Sequence, residues 1–236
     1  MFDDLSALLG ANDVSAAINA GLGINVDSFQ ANEVTLVSVM VDDSSSIAHA
    51  RNTDAVREGY NGVIDALTGS KGAGTILWHG RLLNGQIICP FVMLKDAVKL
   101  TPTTYNPNGN TPLYDRAVEF LGTVATKIKE FQDAGVVVKS ISLIITDGED
   151  VGSRRQTVSD VKKIVDSLLR SETSQVHGMG VDNGATNFNV VFANMGIPNV
   201  MVAASTAQEI RAACQMFSQS AIRVSQTAGG LGALAT

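Results

Sequence analysis

The sequence has few of the features that mark secreted, membrane-spanning or nucleic-acid-binding proteins. It contains only two cysteines in 236 residues, too few for a disulfide framework, and we expect Cys89 and Cys214 to be buried free thiols. No apolar run approaches the roughly 20 residues of a membrane span, and two aspartates stand near the start, where a signal peptide would have lysine or arginine. The formal net charge is -6 without a basic run, which argues against nucleic acid or an anionic membrane as partner. The composition therefore predicts a cytoplasmic protein.

Apolar, β-branched runs alternate with segments of helical periodicity along most of the chain. VTLVSVMV (34–41) and VVVKSISLIIT (136–146) are nearly continuous, as in strands that are covered on both faces of a parallel sheet. Segments with helical spacing, such as 52–67, separate such runs. Two further apolar runs flank Asn84-Gly85, a strong hairpin signal. The predicted fold class is α/β: a doubly wound, mostly parallel central sheet with one antiparallel edge strand and helices on both faces.

The length and the 45% hydrophobic content are those of one compact domain with short extensions. We divide the chain into an N-terminal helical extension (1–33), a main domain (34–222) and a flexible C-terminal tail (223–236) that is rich in glycine and alanine. A domain of this size buries enough surface to fold without a metal ion. A metal site in it would therefore have to be explained by function.

Oxygen-bearing side chains follow two of the predicted strands directly. Asp42, Ser44 and Ser46 occupy alternate positions after the first strand, and Asp147 ends a later one. In an open α/β sheet, sites lie beyond the carboxyl ends of the strands, so these side chains should project into one crevice. Thr111, at the start of a long helix, can add a hydroxyl from the neighbouring connection. Two carboxylates and three hydroxyls suit Mg²⁺ or Mn²⁺, with Ca²⁺ as a further candidate, rather than zinc or copper.

The three segments resemble the metal-ion-dependent adhesion site (MIDAS) of von Willebrand factor type A (VWA) domains. They are D-x-S-x-S after an apolar strand, Thr-Pro-Leu at the start of a helix, and a strand that ends in Thr-Asp-Gly. The resemblance covers roughly residues 33–222 and implies a doubly wound, Rossmann-like sheet. It also implies that the metal accepts a partner's carboxylate at an open position, and that its ligands, one or two of them through water, are Asp42, Ser44, Ser46, Thr111 and Asp147.

Each of these residues also has an ordinary structural interpretation. Ser44 and Ser46 are of the type that caps helices, Thr111 before a proline is a good N-cap, and Asp147 followed by glycine is a common turn. The metal interpretation is favoured because all five side chains converge on one edge of the sheet.

Several polar residues near the predicted ligands, and one histidine, are not assigned as ligands. Asp43 and Ser45 are out of register and should face solvent or cap the next helix. Glu149 and Asp150 could host a second cation, but a solvated turn is the favoured interpretation, and His79, in an apolar run, is expected to be a core residue.

Common enzyme motifs are missing. No G-x-G-x-x-G follows a strand, GSKGAG lacks the P-loop spacing, and there is no G-x-S-x-G elbow. A phosphoryl-transfer enzyme of the haloacid dehalogenase type would need an aspartate two residues after Asp42, where this chain has Ser44. Mg²⁺-dependent phosphoryl transfer is therefore only the enzyme alternative, and the chain is predicted not to be an enzyme.

The principal hypothesis is a non-enzymatic, Mg²⁺-dependent protein-interaction module that binds an Asp or Glu carboxylate of its partner. The final helical segment, QMFSQSAIRVSQ, is loosely similar to that of stand-alone bacterial VWA proteins linked to tellurite-resistance clusters. The resemblance implies a bacterial cytoplasmic system, and the partner could be an AAA+ ATPase, a kinase or phosphatase module, or a self-assembling complex. The alternative from a different class is a structural subunit of a larger assembly, in which the VWA fold is a scaffold.

Overall fold

The computed structural model of the protein describes residues 5–227. Its helices are α1 (Ser6–Leu9), α2 (Asn12–Gly21), α3 (Ser45–His49), α4 (Thr53–Thr68), α5 (Leu113–Asp133), α6 (Val158–Leu169), α7 (Phe188–Asn194) and α8 (Ala207–Gln226). Its strands are β1 (Glu33–Val41), β2 (Ile76–Leu82), β3 (Ile87–Met93), β4 (Val137–Thr146), β5 (Ser174–Val181) and β6 (Asn199–Ala203).

The six strands form one sheet in the order β3-β2-β1-β4-β5-β6. Every neighbouring pair is parallel except β2 and β3, which form an antiparallel hairpin at one edge. The hairpin turns at Asn84-Gly85, where Gly85 has a φ of 101°, a conformation that glycine adopts without strain. This arrangement confirms the predicted fold class, including the antiparallel edge strand.

Hydrophobic side chains pack on both faces of the sheet. On β1, Leu36 and Met40 belong to the core under α5 and α6, whereas Val37 and Val39 belong to the core under α4 and α8. Because successive residues of a strand point to opposite faces, a strand that is covered on both faces is apolar at most positions of both. This explains why VTLVSVMV shows no alternation of polar and apolar residues.

Helices α1 and α2 pack against the same side of the sheet as α5. Val14 and Ile18 of α2 are buried in one core with Phe120 of α5. A Cβ atom on Gly122 would lie 2.8 Å from Ile18 Cδ1, so glycine at this position allows α2 to approach α5 closely. The predicted N-terminal helices are therefore present, while the division of the chain at residue 33 stays a prediction.

At the other end of the main domain, α8 continues to Gln226 and buries Val224, beyond the predicted boundary at residue 222. The rest of the predicted tail, residues 228–236, lies outside the described residues.

The two cysteines are buried free thiols, as predicted, and burial raises the pKa of Cys214 to about 12. Between residues 5 and 227, no helix combines the length and the apolar character that crossing a bilayer requires.

Candidate metal centre

The carboxyl ends of β1 and β4 place two aspartates side by side. The two strands are parallel neighbours, and their last paired residues are Val41 and Ile145. The chain leaves β1 for β2 on one side, while β4 lies on the other, so this is the switch point at which open α/β sheets form their sites. Asp42 and Asp147 follow these strand ends, and the backbone N–H of Asp147 lies 3.4 Å from Asp42 Oδ2.

Hydrogen bonds join the serines after β1 to the aspartate after β4. The Ser46 hydroxyl donates to Asp147 Oδ1 over 2.7 Å. Ser44 Oγ lies 2.9 Å from Ser46 Oγ and 3.5 Å from Asp147 Oδ1. The structure thus brings four of the five predicted site residues together.

Asp42 is held in place from three directions. Its Oδ1 accepts the backbone N–H of Ser44 over 2.8 Å, and its Oδ2 accepts the hydroxyl of Thr146 over 2.7 Å. The buried Tyr105 donates its hydroxyl to the backbone carbonyl of Asp42 over 2.5 Å. Neither supporting residue was predicted from the sequence, although Thr146 stands within the Thr-Asp-Gly segment. Tyr105 lies in a long loop without periodicity, so no sequence signal indicated it.

The backbone of Thr111 lies between the two loops that carry the other four residues. Gly109 forms a bridge with Ser44 on one side, and Thr111 itself forms a bridge with Val151 on the other. The Thr111 side chain is largely buried, and its hydroxyl forms no hydrogen bond within residues 5–227.

The Thr111 side chain does not cap α5. The helix begins at Leu113, whose N–H donates to the backbone carbonyl of Thr111 over 2.8 Å, and the next two amides are satisfied from the loop after β4. Asp150 Oδ1 accepts the N–H of Tyr114 over 3.1 Å, and Ser153 Oγ accepts the N–H of Asp115 over 3.0 Å. Asp150 is therefore a capping residue rather than part of a merely solvated turn.

Ser44 does not use its hydroxyl as a cap either. It occupies the N-cap position of α3, but its side chain makes no capping hydrogen bond. The hydroxyls of Ser44 and Thr111 thus lack the structural role that is the ordinary alternative to metal binding.

The expectation for Asp43 was wrong, because this residue is buried rather than exposed. Asp43 Oδ1 accepts the backbone N–H of Asn84 over 2.8 Å, and its carbonyl accepts the N–H groups of Asn108 and Gly109. Burial raises the pKa of Asp43 to about 6. The hydrogen bond from Asn84 opposes this rise, and the nearby charge of Asp42 adds to it. Asp43 holds the β2–β3 turn and the loop before α5 against the site.

Both candidate ligand carboxylates are poorly compensated. Burial raises the pKa of Asp42, and its hydrogen bonds only partly oppose this effect. Burial also raises the pKa of Asp147. The hydrogen bond from Ser46 opposes this rise, and the charge of Asp42 adds to it. In the described part of the chain, no lysine or arginine forms an ion pair with either carboxylate. Two buried like charges without a cation favour protonation or the binding of a positive ion.

The donor set fits a hard divalent cation. Among the residues that the structure describes, no three His, Cys, Asp or Glu side chains group into a metal cluster. A cation at Asp42 and Asp147 would therefore depend on hydroxyl oxygens and water for its remaining ligands. Such a set suits Mg²⁺, which typically keeps several waters and binds one or two carboxylates.

Protein-family profiles and curated proteins gave no match to the chain, but solved structures did. The pilus adhesin SpaC from Lactobacillus rhamnosus GG superposes with a TM-score of 0.56 at 13% identity, over 82% of this chain and 30% of the adhesin. The SpRpn10 VWA domain superposes with a TM-score of 0.50 at 5% identity, over 76% of this chain and 93% of that domain.

A third similar structure is proximal thread matrix protein 1 from the mussel byssus, with a zinc-occupied MIDAS motif. Its TM-score is 0.51 at 15% identity, over 80% of this chain and 46% of that protein. The chain thus spans less than half the length of the adhesin and of the byssus protein. At these identities the comparisons show the fold alone, and that fold is of the VWA type.

Proposed function

We propose that the chain is a non-enzymatic interaction module that binds a carboxylate of a partner protein through a divalent cation. Mg²⁺ is the favoured cation. One observation carries the proposal: two buried carboxylates, without a basic partner among the described residues, lie beside hydroxyls that cap no helix. The proposed ligands, some of them through water, are Asp42, Ser44, Ser46, Thr111 and Asp147.

The protein's own residues fix the geometry of this site. Thr146 and the Ser44 amide orient Asp42, and the Ser46 hydroxyl orients Asp147. Because hydroxyls are uncharged, the two carboxylates roughly neutralise a divalent ion, and a bound Mg²⁺ would supply an electrophilic position for a further oxygen ligand. A carboxylate of a partner is the ligand that this position would favour.

The loops around the site are suited to contact with a protein. We expect residues 103–110 and 148–153 to rim the crevice, and Val151 in the second loop is 66% exposed. An apolar side chain beside a metal-bound carboxylate would add a hydrophobic contact to the polar one. The partner could be an AAA+ ATPase, a kinase or phosphatase module, or a self-assembling complex in the cytoplasm.

Two observations support an interaction module over an enzyme. The position that would hold the acid-base aspartate of a phosphoryl-transfer enzyme is Ser44, whose hydroxyl contacts Ser46. Two of the solved structures that share the fold are, by name, a pilus adhesin and a thread matrix protein.

The test is a pull-down from native lysate with the wild-type chain, Asp42→Ala and the matched control Asp133→Ala, which changes an exposed carboxylate. The partner should bind wild type and the control in Mg²⁺, be released by EDTA and return when Mg²⁺ is restored. Asp42→Ala should not bind it.

Once the partner is identified, replacing its contacting carboxylate by an amide should weaken binding by roughly 30-fold to several thousand-fold. Equal binding in EDTA, or an interface at the side of the sheet opposite to the site, where the parallel strands begin, would contradict the proposal. Either result would favour the structural-subunit alternative.

A further inference from the structure

The two edges of the sheet differ in how they are protected. Strand β3 contains Pro90, and the N–H of Ile24 donates to the carbonyl of Phe91 on its outer side. Pro90 and this covering segment are ordinary devices that prevent edge-to-edge pairing. Strand β6, at the other edge, has neither a proline nor a charged residue.

The backbone of β6 has a fixed alternation of inward and outward groups. Asp182 donates its N–H to the carbonyl of Ala203 over 2.8 Å, so the polar groups of Ala203 face β5. By the alternation of a strand, those of Met201 also face β5, and the N–H and C=O of Val200 and Val202 point outward. No strand within residues 5–227 pairs with this side of β6.

The chain segment that contains β6 carries no charge. From Asn183 to Gln208 no residue is charged, the longest such run in the sequence, although 17% of the whole chain is charged. Two valines in this run are strongly exposed, Val190 on α7 at 52% and Val202 at 49%. Depletion of charge with exposed apolar side chains is typical of the core of a protein interface.

We propose that β6 pairs antiparallel with β6 of a second copy of this chain, about a twofold axis at Met201, and joins the two sheets into one. The segment Val200-Met201-Val202 is palindromic, so the axis places Val200 opposite Val202 of the second copy and Met201 opposite Met201. The outward N–H and C=O groups of the valines then form the hydrogen-bonded pairs. The methionines, whose backbone groups face β5, form the non-hydrogen-bonded pair between them, as the direction of these groups requires.

Both faces of the junction are apolar. Val200 packs with the core on the α6 and α7 side, and Met201 packs with the core on the α8 side. A twofold interface is self-complementary, so like charges at its centre would repel. Although each chain carries a net charge of -6, β6 itself contributes no charged side chain to this centre. The charged side chains that line the surface beside Val200 and Val202, Lys162 and Asp182, are of opposite sign. This interface contains no proposed metal ligand, so pairing should persist in EDTA.

The first test is sedimentation velocity in EDTA over a range of protein concentrations. Wild type should dimerise, and Val202→Lys should raise the dissociation constant about tenfold or more, because both symmetry-related valine pairs lose an apolar contact and gain an ammonium group. Val137→Lys is the matched control, since Val137 is 52% exposed at the start of β4, and it should dimerise like wild type. A monomeric wild type, or a dimer that Val202→Lys leaves unchanged, overturns the proposal.

The second test reads the register by disulfide formation. In the proposed pairing the Cα atoms of the two Met201 residues lie about 4.5 Å apart, within the range of a disulfide, whereas the two Val202 residues are offset along the strands beyond that range. Oxidised Met201→Cys should therefore give a covalent dimer, and Val202→Cys should not. Wild type serves as the background, since its own cysteines are buried. A stronger cross-link in Val202→Cys overturns the register.

Discussion

The hydroxyl of Ser46 donates a hydrogen bond of 2.7 Å to Asp147 Oδ1, although the two residues lie 101 positions apart in the chain. This contact joins the loop after β1 to the loop after β4, at the edge of the sheet where both strands end. It places a neutral oxygen against a buried carboxylate whose pKa is raised by burial and by the charge of Asp42. Asp147 therefore lies between a hydroxyl and a second carboxylate, and no lysine or arginine of residues 5–227 forms an ion pair with it.

Asp147→Asn should separate stability from metal binding. An amide keeps the oxygen that accepts the Ser46 hydrogen bond but removes the repulsion with Asp42. In EDTA, the free energy of unfolding should be unchanged or raised by about 1 kcal/mol. The increase in melting temperature that Mg²⁺ gives the wild type should be absent. Urea denaturation in EDTA and melting curves with Mg²⁺ measure the two effects, and a loss of several kcal/mol in EDTA would indicate a structural role instead.

Thr111→Val should weaken Mg²⁺ binding without loss of stability, whereas Asp150→Ala should lower stability. Because the Thr111 hydroxyl caps nothing, Thr111→Val should change the free energy of unfolding in EDTA by less than about 0.5 kcal/mol while weakening Mg²⁺ binding. Asp150→Ala should cost about 1 kcal/mol, because the N–H of Tyr114 loses its acceptor. Chemical denaturation of both variants in EDTA tests the contrast, and the reverse order of stability would restore Thr111 as the cap.

Glu119→Gln should be strongly destabilising. Glu119 of α5 is buried and accepts hydrogen bonds from Arg81, Arg116 and Arg155 over 2.6 to 3.0 Å. Arg81 is itself buried, so removal of the carboxylate charge leaves a guanidinium without its counter-charge, at a cost of about 3–5 kcal/mol. Denaturation midpoints measure this loss. Asp133→Asn, at an exposed pair, is the control, and a similar small effect for both variants would contradict the prediction.

His79→Gln should remove a pH dependence of stability. His79 is fully buried beside Phe91, and burial lowers its pKa to about 3, from an ordinary 6.5. The folded protein keeps this ring neutral, whereas the unfolded chain binds a proton below pH 6.5, so acid favours unfolding from there down to about pH 3. Relative to His79→Gln, the wild type should lose about 2 kcal/mol of unfolding free energy between pH 7 and pH 5. A stability difference that stays constant with pH would contradict the neutral, buried ring.

Local signals in the sequence were sufficient for the fold but not for all of the contacts at the site. The hairpin at Gly85 was predictable because the turn requires a residue that tolerates positive φ. The burial of Asp43 was not, because its partner Asn84 lies 41 positions later and no local pattern links them. Thr111 before a proline suggested a side-chain cap for α5. The side-chain cap on the N–H of Tyr114 comes instead from Asp150, 36 positions later, and no local pattern links these two residues either.

The most direct test of the central claim is calorimetric titration of Mg²⁺, and separately of Mn²⁺, into metal-stripped wild type and Asp42→Ala. Far-UV circular dichroism and a cooperative melting curve should first show that the variant is folded. The account predicts saturable binding at one site in the wild type and no measurable binding in Asp42→Ala. Equal divalent affinity in the two proteins, or no binding in the wild type, would contradict it.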